Sequence, residues 1–391
     1  MLAADSLDVV LNPAQREFRR ELRTFLTSDR VQASLGPLRT SPGEEAGLLE
    51  VYRLLGERGW LAPSWPAQYG GLGRGMVENA LVTEEMCLAG VPDDAHVLSI
   101  DIVGTFLLHA GTDKQCQRFL PALASGQSIA AVLFTEPDCG SDLSRLTMRA
   151  DPVDGGWRLQ GTKWFSQKTR FADVGLCAVR TSDGPVPFDG ITLFLLPLRS
   201  PGVLVKQVGA LPDDRFHEVV VDGIVLSPDD VVGEVGDGWR LINEMLVLER
   251  TGIDFHAKVR RWLDAAGAML GSGSRADDGA GDDLTGRLIA LDAALSAGHA
   301  LAWRVIADID EGRPDPARSA MSKWYNTEQA REVVRFCLDV SGMPGLLAGW
   351  DPEAIDQGMV ERACRYAPTF RLGSGTSEIM LYIVASSMGL L

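Results

Sequence analysis

The sequence predicts an α+β multidomain fold, with a helical domain first, a β domain second and a helical domain last. Three observations carry that prediction. Apolar residues recur at helical spacing through the first third of the 391 residues. From about Ile129 to Gly236 the text breaks into short β-rich runs punctuated by Gly, Pro and Asp. From Trp239 the helical spacing returns. The expected domains are residues 1–128, 129–236 and 237–391, with no internal repeat.

The elements follow in order. "NPAQREFRRELRTFL" places Phe18, Leu22 and Leu26 on one stripe with charge opposite, and Asn12-Pro13 makes a helix start. "GLLEVYRLLGERGW" repeats the pattern and should stop near Gly59, before the Pro/Gly-rich loop "APSWPAQYGGLGRG". "ENALVTEEMCLAG" and "HVLSIDIVGTFLLHAG" predict two more helices. The strands are read from "WRLQGTKWF", "VGLCAVRT", "ITLFLLPL", "VLVKQV" and "HEVVVDGIVL". In the last third, "GWRLINEMLVLERTGIDFHAKVRRWLDAAGAML" reads as one continuous helical run. "LTGRLIALDAALSAGHALAWRVIADIDEG", "ARSAMSKWYNTEQAREVVRFCLDVSG" and a helix after Gly375 follow. "GSGSRADDGAGDD" reads as a flexible acidic loop.

Composition excludes some classes of function. A net charge of -16 leaves no broad basic face to displace counterions from phosphates, which argues against nucleic acid as a partner. A local basic pocket for one anionic cofactor stays open. The six cysteines form no CxxC and have no metal-ligand spacing with the five histidines. Free thiols in a reducing cytoplasm are expected, with no metal site. The N-terminus lacks a basic region followed by an apolar one, and no segment approaches the roughly 20 apolar residues of a membrane span. The expectation is a soluble, cytoplasmic protein with no membrane partner.

Two stretches point to chemistry. "FTEPDCGSDLS", from Phe134 to Ser144, clusters small and hydroxyl residues beside a strand edge. Gly140, with the Thr135 and Ser141 hydroxyls and nearby backbone N–H groups, could face a diphosphate without bulky side chains intervening. An ordinary Gly-Ser-Asp turn has the same composition. "GTKWFSQ", ending at Gln167, adds two aromatics that could cover a planar cofactor, or could simply face the two sides of a strand.

A resemblance joins these pieces. "TEPDCGSD" looks like the signature of the acyl-CoA dehydrogenase family. "WPAQYGGLG", "GTKWFSQ", "GDGWRLINEMLVLER" and "GTSEIM" are similar to its other landmarks, in the same order. The resemblance covers nearly the whole chain. It implies an N-terminal α-helical domain, a middle β-barrel and a C-terminal four-helix bundle. It also implies bound FAD and a reaction in which a base removes the α-proton of an acyl thioester while the β-hydrogen leaves as hydride. Under it, Phe134, Thr135, Gly140, Ser141, Phe165, Gln167, Gly375, Thr376 and Ser377 would bind the cofactor, and Ser141 and Arg250 the substrate. An electron-transfer flavoprotein or similar acceptor and a homo- or hetero-oligomer, dimer or tetramer, are further implications.

The family base raises a question. Many members carry a Glu directly before the Gly-Thr-Ser segment, where this chain has Ser374. A hydroxyl there cannot take an α-proton at neutral pH without its own activator. Other members, isovaleryl-type and long-chain enzymes among them, carry the base directly before the pocket Arg, which here is Glu249. Ile242, Leu246, Glu249 and Ile253 fall on one helical face, so Glu249 is expected in an apolar stripe, where desolvation raises a carboxylate pKa. The alternative is a Glu at the stripe's edge paired with a neighbouring cation. The family's R-x-x-F-G segment is absent, and "DVSGMPG" carries Asp339 where Gln is expected. Both departures occur in heteromeric bacterial dehydrogenases of steroid side chains, and related ones in natural-product enzymes acting on carrier-protein-bound acyl groups. Two further readings therefore stand: a catalytically degenerate subunit that completes a partner's site, and a flavin monooxygenase on the same fold.

Overall fold

The computed structural model describes residues 11–40, 46–212, 216–271 and 280–391. Helix α1 (Pro13–Leu26) starts as its sequence requires. The Asn12 side chain accepts from the Gln15 amide while the Gln15 side chain accepts from the Asn12 amide, which satisfies two helix-end donors. The Phe18–Leu22–Leu26 stripe is buried. Helices α2 (Asp29–Thr40), α3 (Ala46–Gly56) and α4 (Met76–Ala89) follow, then α5 (Asp94–His96), a π-helical turn over Val97–Gly104, α6 (Thr105–Ala110) and α7 (Asp113–Ala124).

The middle region is an eight-stranded sheet. Its strands are β1 (Ala130–Leu133), β2 (Arg149–Val153), β3 (Gly156–Gln167), β4 (Val174–Arg180), β5 (Ile191–Pro197), β6 (Val203–Val208), β7 (Phe216–Leu226) and β8 (Val231–Val232). The pairing order is β6-β7-β3-β2-β4-β5-β8, with β1 parallel to β4. β4 and β5 are buried on both faces, which explains their unbroken apolar text, whereas β6 alternates as a half-exposed strand.

The last region holds α8 (Gly238–Glu249), α9 (Ile253–Gly271), α10 (Ala280–Asp310), α11 (Pro316–Ser341), α12 (Met359–Phe370) and α13 (Ser377–Ser387). An ion pair and a hydrogen bond lock it to the first region. Lys258 on α9 lies 2.9 Å from Asp93, and His299 on α10 lies 2.6 Å from Glu84 on α4.

The structure departs from the sequence reading in several places. The expected continuous helix from Trp239 breaks at residues 250–252. Gly252 takes φ +82°, and a Cβ there would meet the Ser322 hydroxyl at 2.9 Å and its carbonyl at 3.0 Å, so the chain turns where it presses on α11. Ile253 therefore starts a new helix rather than continuing the stripe of Glu249. Helices α2, α7 and α12 were not anticipated; α7 and α12 each contain an internal proline, Pro121 and Pro368, which argues against helix in sequence. Of the expected acidic loop, residues 272–279 lie outside the described residues, and α10 has begun by Ala280. The expectation that no segment approaches membrane-span character also needs correction. Among the described residues, Asp283–Asp310 is long and apolar enough by length and composition. It packs within the helical bundle, with Leu295, Ala302 and Ile306 buried.

Candidate active site

The break after α8 places Glu249 at the last helical position and brings it against the turn before α13. The Ser374 hydroxyl donates to Glu249 Oε1 at 2.6 Å, while Glu249 Oε2 is buried and has no hydrogen-bond partner among the described residues. Burial pushes the Glu249 carboxyl above its ordinary range. The Ser374 hydrogen bond and the charges of Arg250 and Lys323 oppose that shift, and Asp254 adds to it. The expected alternative, a Glu paired by a hydrogen-bonded cation, is not what forms: Arg250 Nε donates instead to the Ser374 carbonyl at 2.9 Å.

The turn itself is tightly held. Lys323 of α11 is fully buried and donates to the carbonyls of Phe370 at 2.9 Å and Gly375 at 2.7 Å. Burial pulls its pKa down to about 8. Ser374 and Gly375 take φ of +56° and +96°; a Cβ on Gly375 would meet Met380 Cε at 2.7 Å and Arg250 Nη2 at 3.1 Å. Thr376 caps α13, its hydroxyl oxygen accepting from the Ile379 amide. The Ser377 hydroxyl donates to Glu328 Oε1 at 2.6 Å, and Arg371 Nε donates to the same oxygen at 2.7 Å.

Glu249 lines a small cavity of about 40 Å³ between α4, the π-helical turn, the α8–α9 break and the end of α10. Ala80, Val97, Leu248 and Ile306 supply apolar wall; Asn79 and Asp101 supply polar wall. Asn79 Nδ2 donates to Asp101 Oδ1 at 2.7 Å, and burial raises the Asp101 pKa.

The second group of candidate residues gathers around β3. The Trp164 amide donates to the Thr135 carbonyl at 2.8 Å, which brings the "TEP" turn alongside the "GTKWFSQ" strand. Glu136 anchors that turn from inside. It accepts from Lys163 Nζ at 2.7 Å, from the Thr147 amide and hydroxyl, and from the Met148 amide. Phe134, largely buried, accepts from Lys163 Nζ at its carbonyl. Gly140 and Ser141 stay exposed. Trp164 and Phe165 do not simply alternate across a strand, because a bulge opposite β7 falls between Lys163 and Ser166 and Phe165 takes φ +53°. The Phe165 ring is 53% exposed and meets Phe216 edge-on at 6.1 Å. Gln167, partly exposed, ends the strand; the next residue, Lys168, lies 3.8 Å from Asp94, which also accepts from the Tyr366 hydroxyl of α12. Asp94 thus ties the end of β3 to the helix that leads into the Ser374 turn.

Glu249, Arg250, Ser374 and Gly375 are brought into direct contact, whereas the residues around Thr135 and Phe165 form a separate group. Sequence reasoning missed Glu136, Lys163, Lys323, Glu328 and Asp101. A lysine inside an apolar strand, as in "GTKWF", is a usable signal of a buried ion pair; Lys323 gives no comparable one. Elsewhere, Glu84, His256 and His299 form a buried trio that the cysteine and histidine spacing had not suggested. The 2.6 Å separation of Glu84 Oε1 and His299 Nε2 is a hydrogen bond.

The fold runs helix–sheet–helix, and the sequence matches three domains of one family in the same order. Residues 12–127 match the acyl-CoA dehydrogenase N-terminal domain, 131–224 the middle domain and 236–389 the C-terminal domain. The chain belongs to the acyl-CoA dehydrogenase family. It is 33% identical over 349 residues to acyl-CoA dehydrogenase FadE34 of Mycobacterium tuberculosis, covering 88% of this chain and 47% of that protein, so it spans about half that relative's length. FadE26 of the same organism is 29% identical, with 95% of this chain and 96% of that one covered. Among solved structures, the ChsE4-ChsE5 complex from Mycobacterium tuberculosis superposes with a TM-score of 0.87 at 26% identity, covering 97% of this chain and 98% of that one. The Tcur3481-Tcur3483 steroid ACAD gives 0.86 at 26% identity with the same coverage.

Proposed function

We propose that the protein is an FAD-dependent dehydrogenase that introduces an α,β double bond into an acyl thioester, with Glu249 as the base. The observation that carries this reading is the buried Glu249 Oε2, which has no hydrogen-bond partner among the described residues, at the edge of a partly apolar cavity. A carboxylate so placed has a free proton-accepting oxygen and a pKa moved toward the working pH.

The residues fit a flavin. The exposed Phe165 ring offers a face for a planar group, the open turn at Gly140 and Ser141 leaves hydroxyl and amide donors available, and the N-terminus of α13 favours an anion. Phe134, Thr135, Gly140, Ser141, Phe165, Gln167, Gly375 and Thr376 would hold FAD. Ser377 joins them only if its hydroxyl leaves Glu328. When bound, FAD supplies the acceptor for the β-hydrogen, which leaves as hydride. Glu249 takes the α-proton, Arg250 holds the turn that faces the base, and the apolar walls exclude water from the acyl chain. Ser141 and Arg250 are assigned to the substrate by the family resemblance.

The thioester is carried on CoA or a carrier protein, and an electron-transfer flavoprotein or similar partner reoxidises the flavin. Exposed Met343, Trp350, Leu372 and Tyr382 on the last region support a homo- or hetero-oligomer, because single chains rarely leave so much apolar surface uncovered. A hetero-oligomer is favoured by Asp339, which stands at the family's expected Gln and is engaged by Arg287 at 2.7 Å. The test is direct. The protein, purified with any co-expressed partner, should be yellow and bleach anaerobically with an acyl-CoA from a butanoyl-to-octanoyl series. Absence of bound FAD would overturn the enzyme reading. Oxygen-dependent turnover requiring a flavin reductase would replace it with the monooxygenase reading.

A further inference from the structure

Ser374 occupies the place where much of the family carries its base, yet its side chain is not idle. Its neutral hydroxyl is a far weaker base than a carboxylate, and it donates to Glu249 Oε1 at 2.6 Å. What it can do is decide which oxygen of Glu249 is free. Oε1 is engaged, and Oε2 is left without a hydrogen bond among the described residues.

The backbone supports a specific role for this side chain. Ser374 sits at φ +56°, a conformation that glycine adopts easily and serine does not. Its two neighbours in sequence, Gly373 and Gly375, show that small residues suit this turn. The strained position is held from both sides: Arg250 Nε donates to the Ser374 carbonyl, and Lys323 Nζ to the Gly375 carbonyl at 2.7 Å. A left-handed serine fixed by the half-buried Arg250 and the buried Lys323, and hydrogen-bonded to a carboxylate, is a device for orientation.

Resting on the assignment of Glu249 as base, we infer that Ser374 is a positioning residue that locks the Glu249 carboxylate so that Oε2 alone faces the α-hydrogen. A second consequence is electrostatic. A donor to a carboxylate favours its ionised form, so this hydroxyl holds down a pKa that burial raises. The charged groups around Glu249 are Arg250 beside it, Asp254 at the start of α9 and Lys323 on α11, and Asp101 lies across the cavity. None of the cations donates a hydrogen bond to the carboxylate; Ser374 does.

The experiment follows the Glu249 carboxyl by infrared difference titration of the FAD-bound protein, its band identified by loss in Glu249→Gln. Ser374→Gly removes the hydroxyl and relieves the backbone; Ser374→Ala removes it and keeps the strain. Both should raise the Glu249 pKa by about one to two units, the worth of one hydrogen bond to a charged group. Ser374→Asn, which tolerates the left-handed backbone and can donate, should restore part of the shift. In parallel, the acid limb of flavin bleaching by butanoyl- to octanoyl-CoA should move to higher pH in the Gly and Ala variants. A carboxyl that titrates at its wild-type pH in both would overturn the inference. A shifted carboxyl in a protein that no acyl-CoA bleaches would sustain the positioning role and sink the dehydrogenase reading instead.

Discussion

Glu136 and Glu249 are both carboxylates held in the interior, and they are built in opposite ways. Glu136 is saturated: an ammonium, two amides and a hydroxyl converge on its two oxygens, and its pKa lies below the ordinary value even though burial pushes it up. Glu249 receives one hydroxyl, keeps one oxygen unengaged and has a raised pKa. A saturated carboxylate is an anchor, because protonating it would break several bonds at once. An under-satisfied one is poised to accept a proton. Glu136 therefore belongs to the architecture of the "TEP" turn, whereas Glu249 has the environment that the proposed base requires.

Substitution should separate the two. Glu249→Gln keeps the shape and removes the proton acceptor. With FAD still bound, substrate-dependent bleaching should fall by about 10² to 10⁴-fold, measured by stopped-flow absorbance. Glu136→Gln should act on stability instead. It leaves Lys163, fully buried, without its countercharge, and chemical denaturation should show a loss of about 3–5 kcal/mol. If the Glu136→Gln variant keeps wild-type stability, the anchor reading of that turn is wrong.

The pH dependence of the two should differ in sign. Glu136 has a folded pKa below its unfolded value, so its contribution is present above the ordinary carboxylate range and is lost as pH falls through the folded pKa. Glu249 has a folded pKa above its unfolded value, so the fold favours its protonated form and loses that contribution as pH rises through the raised value. Glu249→Gln, a permanently neutral mimic, should therefore melt slightly above wild type at pH 8 and alongside it at pH 4. A lower melting temperature at pH 8 would mean that the buried carboxylate is stabilising after all.

The same contrast marks what could be read from sequence. The α1 stripe, the buried β4 and β5 runs and the helix–sheet–helix order were legible because each depends on local periodicity. Glu249 is legible as a candidate through its apolar neighbours and the resemblance, although Ile253 belongs to the next helix and not to its stripe. The break itself depends on Gly252 meeting Ser322. Lys163 finds Glu136 across 27 residues and Lys323 finds Gly375 across 52, distances over which a single sequence carries no pairing signal. Helix α12 was hidden by Pro368, whose cost is met by burial of Val360, Ala363, Ala367 and Phe370.

Removal of the α-proton by Glu249 can be isolated from the redox step. It is tested most directly where no electron can move. A 3-thiaacyl-CoA has sulfur at the β position and no β-hydrogen to lose, so the FAD-bound protein in D₂O can only exchange its α-hydrogens. Proton NMR should show α-deuteration catalysed by the wild-type protein and a loss of about 10² to 10⁴-fold in Glu249→Gln, with ligand binding retained. Exchange by the Glu249→Gln variant at the wild-type rate would contradict the account and assign the base to another residue or to a partner chain.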